Sequence, residues 1–536
     1  MKIEQPGRRK RARIPLEAGK EAQIRDRVIE VIASYGGIFQ RGHSLVSVLP
    51  ESDDSPAVII REIPQAALRG KLSEMCEFTT ERKIDGMRVE VACDVPKPLV
   101  EIVHSMGHWS GVPYLDRVID APSIRKDGSI LQTPGYDTAT RCLYVPSADF
   151  LPIPENPSQE EAGVALTRLT AVFSDFPLVD LHARSVVIAA ILTLIGRTAI
   201  DGSVPLFCFD ANTRGSGKTL LADLVSTICN GRPVAKLTFG LKEEELEKQL
   251  SSFALLGASY ICFDNVDCEL GGGPLDKCLT SNGPIAFRLL GKSEIRQMLW
   301  FATIVATGNN LRFRGDTTRR LLLARLESPD ERPEERTGFQ IQNVRQWTAE
   351  HRSRLVSDAL TILRAWFVAG RPTGDCKVWG SFEAWSEIIP PAIVFAGGAN
   401  PMAHRGELEA ATHDSEREAA LIVLAYLPKF GSTGITVQDL IRALYPNGAA
   451  PKSDVPPDGY NDLRDALEML GRSVGSRPPS SNDVGFAFKK LRDRWLADRR
   501  LVSRKGRSNR SLWFIEAREG RGESGEAQSA LPSEEI

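Results

Sequence analysis

The sequence predicts an α/β protein, with a core of buried strands and helices between an α+β N-terminal domain and a C-terminal helix–helix–hairpin domain. Four segments carry that prediction. "PLFCFDANTRGSGKTLLADLVSTI" is a short apolar strand, a small-residue turn and an apolar helix. "ASYICFDNVD" and "LWFATIVATGN" are two more apolar runs, each closing on one polar side chain, Asp264 and Asn309. Short apolar runs bounded by turn residues read as buried strands. The fourth segment, "GFAFKKLRDRWLADRRLVSRKGRSNRSLWFIE", is a helix, a turn and two β-type runs that are dense in Lys and Arg.

Size and charge set the frame. The 536 residues suggest two to four domains, and 42% hydrophobic with 25% charged residues is ordinary for a globular chain. A net charge of −2 excludes a uniformly basic nucleic-acid coat but not local basic patches. The nine cysteines are dispersed and none forms a Cys-x-x-Cys pair, so neither a zinc site nor a disulfide framework is indicated. Dispersed thiols fit a reducing cytoplasm. The apolar run from Val186 to Ile195 is bracketed by Arg184 and Arg197 and spans roughly half a bilayer, so it reads as a buried helix. No membrane association is expected.

From the N-terminus, "GRRKRARIP" has no apolar segment behind it, and residues 1–19 read as a disordered basic arm. Residues 20–150 alternate helix and strand patterns and read as a compact α+β domain. "EAQIRDRVIEVIASYGG" is a helix stopped by a Gly pair, and "SLVSVLP", "AVIIREI" and "RVEVAC" are strands. Asp127-Gly128 and Pro134-Gly135 mark turns. Residues 151–335 hold the nucleotide-type segments, opened by a capping box in which Ser158 precedes Glu161. Residues 336–415 read as a helical region ending in the polar, linker-like "HRGELEAATHD". Residues 416–517 form the last domain, and the aromatic-free tail over 518–536 reads as disordered.

The turn after the first strand holds Gly215-Ser216-Gly217-Lys218-Thr219, the P-loop pattern, with Asn212 at its first glycine position. Glycines let successive backbone N–H groups converge on phosphate oxygens without a Cβ in the way. Lys218 adds a point charge, Thr219 places a hydroxyl on Mg²⁺, and the helix directs its positive end at the same phosphates. ATP and Mg²⁺ are the expected cofactors. Asn212 is expected to tolerate positive φ in place of glycine.

Asp264, at the tip of its strand, then sits where a Walker B carboxylate holds the metal beside Thr219. Asn265 follows where a second acid is usual, and the residues leave the general base open between Asp264, Asp267 and a group from elsewhere. Asn309, at the tip of the third strand, is placed to meet the γ-phosphate or the lytic water. Arg319 and Arg320 lie a short turn beyond. One of them reads as an arginine finger that completes a neighbour's site, which implies a head-to-tail ring.

This order of strand–GSGKT, "ICFDNVD", "IVATGN" and "TTRR" resembles the AAA+ ATPases, and more narrowly the superfamily-3 helicases of the phage and plasmid primase-helicase type. The resemblance covers about residues 200–330. It implies that Thr307-Gly308-Asn309 is the sensor, that Arg320 is the finger, and that the ring is hexameric. It also implies that "LTSNGPIAFRLLGKSEIRQM" is a hairpin gripping single-stranded DNA through Arg288, Lys292 and Arg296.

The C-terminal segment follows helical "EREAALIVLAYL" and "TVQDLIRAL", the order of a winged helix. Lys489, Lys490, Arg492, Arg494, Arg499, Arg500, Arg504, Lys505, Arg507 and Arg510 concentrate charge there, an electrostatic footprint for DNA phosphates. His104 and His108 are four residues apart, but Gly107 interrupts any helix and no third ligand is evident. No catalytic acid cluster is legible in the N-terminal domain, which is consistent with priming by a separate primase or polymerase. The leading expectation is a ring-forming, ATP-dependent DNA helicase or replication ATPase of a mobile element. The rivals are an initiator or loader that does not unwind, and a DNA-binding module with a degenerate ATPase.

Overall fold

The computed structural model describes residues 10–52, 58–240, 242–288, 295–330, 332–430, 434–445, 459–471, 478–506 and 510–517. Two compact units divide the chain, Met1–Arg405 and Gly406–Ile536.

The first unit begins with an α+β lobe. Helices Glu21–Tyr35, Gln65–Met75 and Lys97–Ser105 pack on a sheet in which Cys76–Ile84 pairs antiparallel with Met87–Cys93. Val28, Ile32, Leu68, Leu72, Phe78 and Trp109 form its core. Part of the expected disordered arm belongs to this sheet. Ala12–Pro15 is a strand that runs parallel to Cys76–Ile84, and Ile14 is buried at its centre. Residues 1–9 of that arm lie outside the described residues. A second, antiparallel sheet comprises Phe39–Arg41, Ser44–Pro50 and Val58–Glu62.

Five parallel strands make the central sheet: β1 (Leu206–Ala211), β2 (Ala235–Leu237), β3 (Tyr260–Val266), β4 (Thr303–Asn309) and β5 (Leu321–Leu326), in the order β2-β3-β4-β1-β5. Every residue of β1 is buried, as expected for a strand covered on both faces. Helix Leu181–Ile195 is apolar on all sides, and eleven of its residues are buried against the sheet and other helices. Among the described residues no helix is long and apolar enough to cross a membrane.

The helices from the 336–415 stretch share this core instead of forming a region of their own. Leu355, Leu360, Trp366, Trp385 and Ile393 join the same apolar cluster as Leu192 and Phe207. Arg352, 6% exposed, donates to the carbonyls of Ile228 (3.1 Å) and Cys229 (3.1 Å) at the end of helix Lys218–Asn230. Asp358 is ion-paired with Arg168 of helix Gln159–Ala171. That helix opens with the expected capping box: Ser158 Oγ accepts from Glu161 N at 3.1 Å, and Glu161 Oε2 accepts from Ser158 N at 2.7 Å. The stretch expected as a linker lies within helix Arg405–Tyr426.

The second unit carries helices Val437–Leu444, Asn461–Leu470 and Ser481–Leu491, then antiparallel strands Arg499–Lys505 and Ser511–Ala517. Ile435 bridges to Trp513 across the last strand, and Leu440, Leu467, Phe488 and Trp513 fill the core.

Candidate functional site

At the C-terminal end of β1 the chain turns through Asn212–Gly217 into helix Lys218–Asn230. Gly215 and Gly217 have φ of +77° and +86°, which side chains rarely adopt. Both are also closely approached: a Cβ on Gly215 would overlap the Glu334 carboxylate, and one on Gly217 would lie 3.0 Å from the Phe176 ring. Ser216 Oγ donates to Thr213 O at 2.7 Å and tightens the turn. Asn212 is not among the positive-φ residues, so its expected role as a glycine substitute is corrected. Its side chain bridges the turn to the exit of β5 instead. Nδ2 donates to Ser328 O at 3.3 Å, and Oδ1 accepts from Ser328 N at 3.3 Å.

Three chain segments meet at this end of the sheet. Lys218 Nζ donates to Asn309 Oδ1 at 2.7 Å and to Thr213 O at 3.1 Å. Burial lowers the Lys218 pKa, against the opposing pull of Asp210 and Asp264. Thr219 Oγ1 donates to Asp264 Oδ1 at 2.6 Å, and Thr307 Oγ1 donates to the same oxygen at 2.7 Å. Among the described residues no hydrogen bond engages Asp264 Oδ2. Thr219 and Asp264 thus bring two oxygen donors together, the ligand type a hard divalent cation takes.

Asn265 has φ +52° at a register shift in β3, and its N–H donates to Thr307 Oγ1 at 2.9 Å. Asn is among the few side chains that tolerate this conformation, which gives a backbone reason for Asn at this position. Asp267 is exposed. One functional-looking network escaped sequence reasoning. Buried Asp210 on β1 accepts from Leu311 N at 2.9 Å and pairs with Arg325, which also donates to Asn310 Oδ1 at 2.9 Å. A second missed residue is Glu334, whose backbone and carboxylate lie over Gly215.

Arg319 and Arg320 close a short 3₁₀ helix, Gly315–Arg320. Arg320 is held within its own chain. Its Nη1 lies 2.7 Å from Asp276 and its Nη2 lies 3.4 Å from Asp316, with the side chain 18% exposed. Arg319 is 58% exposed and pairs only with its helical neighbour Asp316 at 2.7 Å among the described residues.

The expected hairpin is present as Pro284–Arg288 paired antiparallel with Ile295–Leu299. Arg288 ends its first strand, while Lys292 lies outside the described residues. Arg296, the third of the expected strand contacts, is engaged within the chain. It donates to Ser44 Oγ at 3.2 Å and pairs with Glu62 at 3.3 Å, joining the hairpin to the N-terminal lobe.

In the second unit Lys489, Lys490, Arg492, Arg494, Arg504, Lys505 and Arg510 are exposed. Arg499 is partly buried, Arg500 is paired with Glu516 at 2.6 Å, and Arg507 lies outside the described residues. His104 and His108 hydrogen-bond to the Ile63 carbonyl and the Tyr114 hydroxyl, both at 3.0 Å.

No known family and no curated protein matches the chain by sequence. Solved structures with some likeness include the A-form apo structure of the NrS-1 C-terminal region, with TM-score 0.37, 10% identity, and coverage of 91% of this chain and 98% of that one. The X-ray structure of JCV helicase aligns with TM-score 0.21 and 17% identity, covering 45% of this chain and 59% of that one.

Proposed function

We propose that the chain is a P-loop ATPase of the AAA+ type that couples ATP hydrolysis to movement on single-stranded DNA. The observation that carries this reading is the convergence of Lys218, Thr219, Asp264 and Asn309 at one end of a parallel sheet, although Lys218 and Asn309 are 91 residues apart. Open parallel sheets bind ligands beyond the carboxyl ends of their strands.

Each residue then has a task. The Lys218 ammonium, held on two neutral oxygens, transfers to the β- and γ-phosphates when a triphosphate enters. That transfer frees the Asn309 amide to meet the γ-phosphate or the attacking water. Thr219 and the open oxygen of Asp264 would hold Mg²⁺, which would supply positive charge against the charge that develops on the phosphates. The turn's N–H groups and the helix dipole hold the remaining oxygens.

The reading includes a hexameric ring in which an arginine from one subunit completes the neighbour's site. Arg319 suits that task because its exposed local ion pair is weak and readily exchanged, whereas Arg320 must first leave Asp276. Arg288 and Lys292 of the hairpin would contact the strand. The C-terminal unit would act as a winged helix whose exposed cations dock on DNA. A mobile element is the setting this reading suits, with priming left to a separate primase or polymerase.

Phosphate release and strand displacement by the full chain, with and without single-stranded DNA, test the reading. Lys218→Ala is expected to lower DNA-stimulated hydrolysis by about 10²-fold or more, the scale of removing one preorganised donor to phosphate. Arg319→Ala is expected to retain nucleotide binding and lose hydrolysis. Asn265, in the place of a second acid, and the pairing of Arg320 within its own chain favour a second reading, an initiator or loader that does not unwind. DNA-stimulated phosphate release without displacement would select it. No release under any condition would select a DNA-binding module with a degenerate ATPase.

A further inference from the structure

A cavity of about 630 Å³ lies between the 116–141 segment, the 197–202 turn, residues 281–283 and residues 299–301. The 197–202 and 299–301 segments precede β1 and β4, so the cavity is at the opposite end of the sheet from the Lys218 turn. Its volume falls within the range of roughly 300–1,000 Å³ typical of small-ligand sites.

The wall is cationic, and its charges are unevenly compensated. Arg125 and Lys126 have carboxylate partners, Asp137 at 2.9 Å and Asp201 at 2.7 Å. Arg197, 5% exposed, donates to the carbonyls of Phe301 (3.3 Å), Ile200 (2.7 Å) and Gly202 (2.7 Å). Arg117, 7% exposed, has an enclosed Nε with no hydrogen-bond partner. Among the described residues its side chain makes no hydrogen bond or ion pair, and its guanidinium lies 4.5 Å over the Phe301 ring. Arg197 approaches the same ring at 5.7 Å, so two guanidiniums share one phenyl group. Burial, reinforced by the like charge of Arg117, pushes the Arg197 pKa down to about 9. Arg141, exposed at the mouth, likewise has no hydrogen bond or ion pair from its side chain among the described residues. Two further acids line the wall: Asp127 accepts from Ser129 N at 2.9 Å and Ser129 Oγ at 2.7 Å, and Asp116 relieves the charge poorly, because burial pushes its pKa up against Arg141, Arg117 and Arg41.

A guanidinium stays charged at neutral pH even where burial lowers its pKa, and burying one is costly unless an opposite charge and acceptors meet it. The planar fork of arginine matches the oxygens of phosphate. We propose that this cavity binds a nucleotide, free or within a single strand, whose phosphate is taken by Arg117 and Arg141. The site does not depend on the ATPase reading and stands if that reading fails.

Calorimetric titration of the full chain carrying Lys218→Ala, which disables the glycine-rich turn, tests the proposal. The ligands are thymidine 5′-monophosphate and oligo(dT). At least one is expected to bind, with affinity at least tenfold lower in Arg117→Gln and several-fold lower in Arg141→Gln. Thymidine itself, without phosphate, is expected not to bind. Binding of the monophosphate assigns the site to a free nucleotide, and an arginine-dependent signal from oligo(dT) alone assigns it to a strand. The ligand-free Arg117→Gln protein is expected to keep or raise its Tm, since Arg117 has no hydrogen bond or ion pair to lose, only its contact with the Phe301 ring. A lowered Tm together with unaltered affinity in Arg141→Gln would make Arg117 structural. That result, equal binding of thymidine, or no arginine-dependent binding of either ligand overturns the proposal.

Discussion

At Lys218 a buried ammonium rests on two neutral oxygens, Asn309 Oδ1 and Thr213 O. Its folded pKa lies below its ordinary value of 10.5 because burial disfavours the charge. The folded state therefore binds fewer protons at this group between the lowered pKa and 10.5, and stability contributed here rises with pH through that window. Lys218→Met removes the titration. The Tm of the wild-type chain relative to this variant is expected to climb as pH approaches 10.5, and a flat difference would contradict the burial effect. Asn265 allows a second measurement. At φ +52° a β-branched side chain is strained, so Asn265→Val is expected to cost about 1–2 kcal/mol in urea unfolding and Asn265→Gly much less. Lys218, Thr219, Asp264 and Asn309 were legible because each ends or follows an apolar run. Asn212 and Asn265 were read only as departures from a pattern. Their roles, a side-chain bridge to Ser328 and a left-handed backbone at a bulge, depend on neighbours that sequence order does not reveal.

Elements were legible where periodicity or turn chemistry was local. Helix Glu21–Tyr35 and the hairpin Pro284–Arg288/Ile295–Leu299 appear where expected. The strand Ala12–Pro15 was not legible, because the basic run before it suggests solvent and its partner Cys76–Ile84 is remote in sequence. The first half of helix Arg405–Tyr426 was missed because polar residues without an apolar stripe give no periodic signal, whereas its second half, "EREAALIVLAY", was read as helical. The 3₁₀ segment Pro333–Glu335 was also unforeseen, and it brings Glu334 over Gly215. A carboxylate there repels an incoming polyphosphate. Glu334→Gln keeps the shape and removes the charge, so association of a fluorescent ATP analogue in stopped flow is expected to accelerate several-fold. An unchanged rate would mean that the segment withdraws before the nucleotide arrives.

On the scale of the whole chain, near-neutral net charge conceals a concentration of cations in the second unit. DNA affinity of the full chain is therefore expected to fall with salt. Removing Lys489 and Arg504 together should reduce the slope of log affinity against log salt by nearly 2, about 0.9 per phosphate contact on duplex DNA. A slope that stays the same would place the DNA elsewhere on the molecule. Helices beyond 336 complete the core around the central sheet, a packing that composition does not reveal.

The run from the hairpin to Asn309 has a mechanical consequence. Strand Ile295–Leu299 passes through residues 300–302 into β4, whose seven residues cover roughly 23 Å at the rise of an extended strand. Trp300 and Phe301 line the arginine cavity at one end, and Asn309 holds Lys218 at the other. A pull on the hairpin or a guest wedged against Phe301 therefore acts at the start of β4, and the last residue of that strand carries the amide that accepts from the lysine.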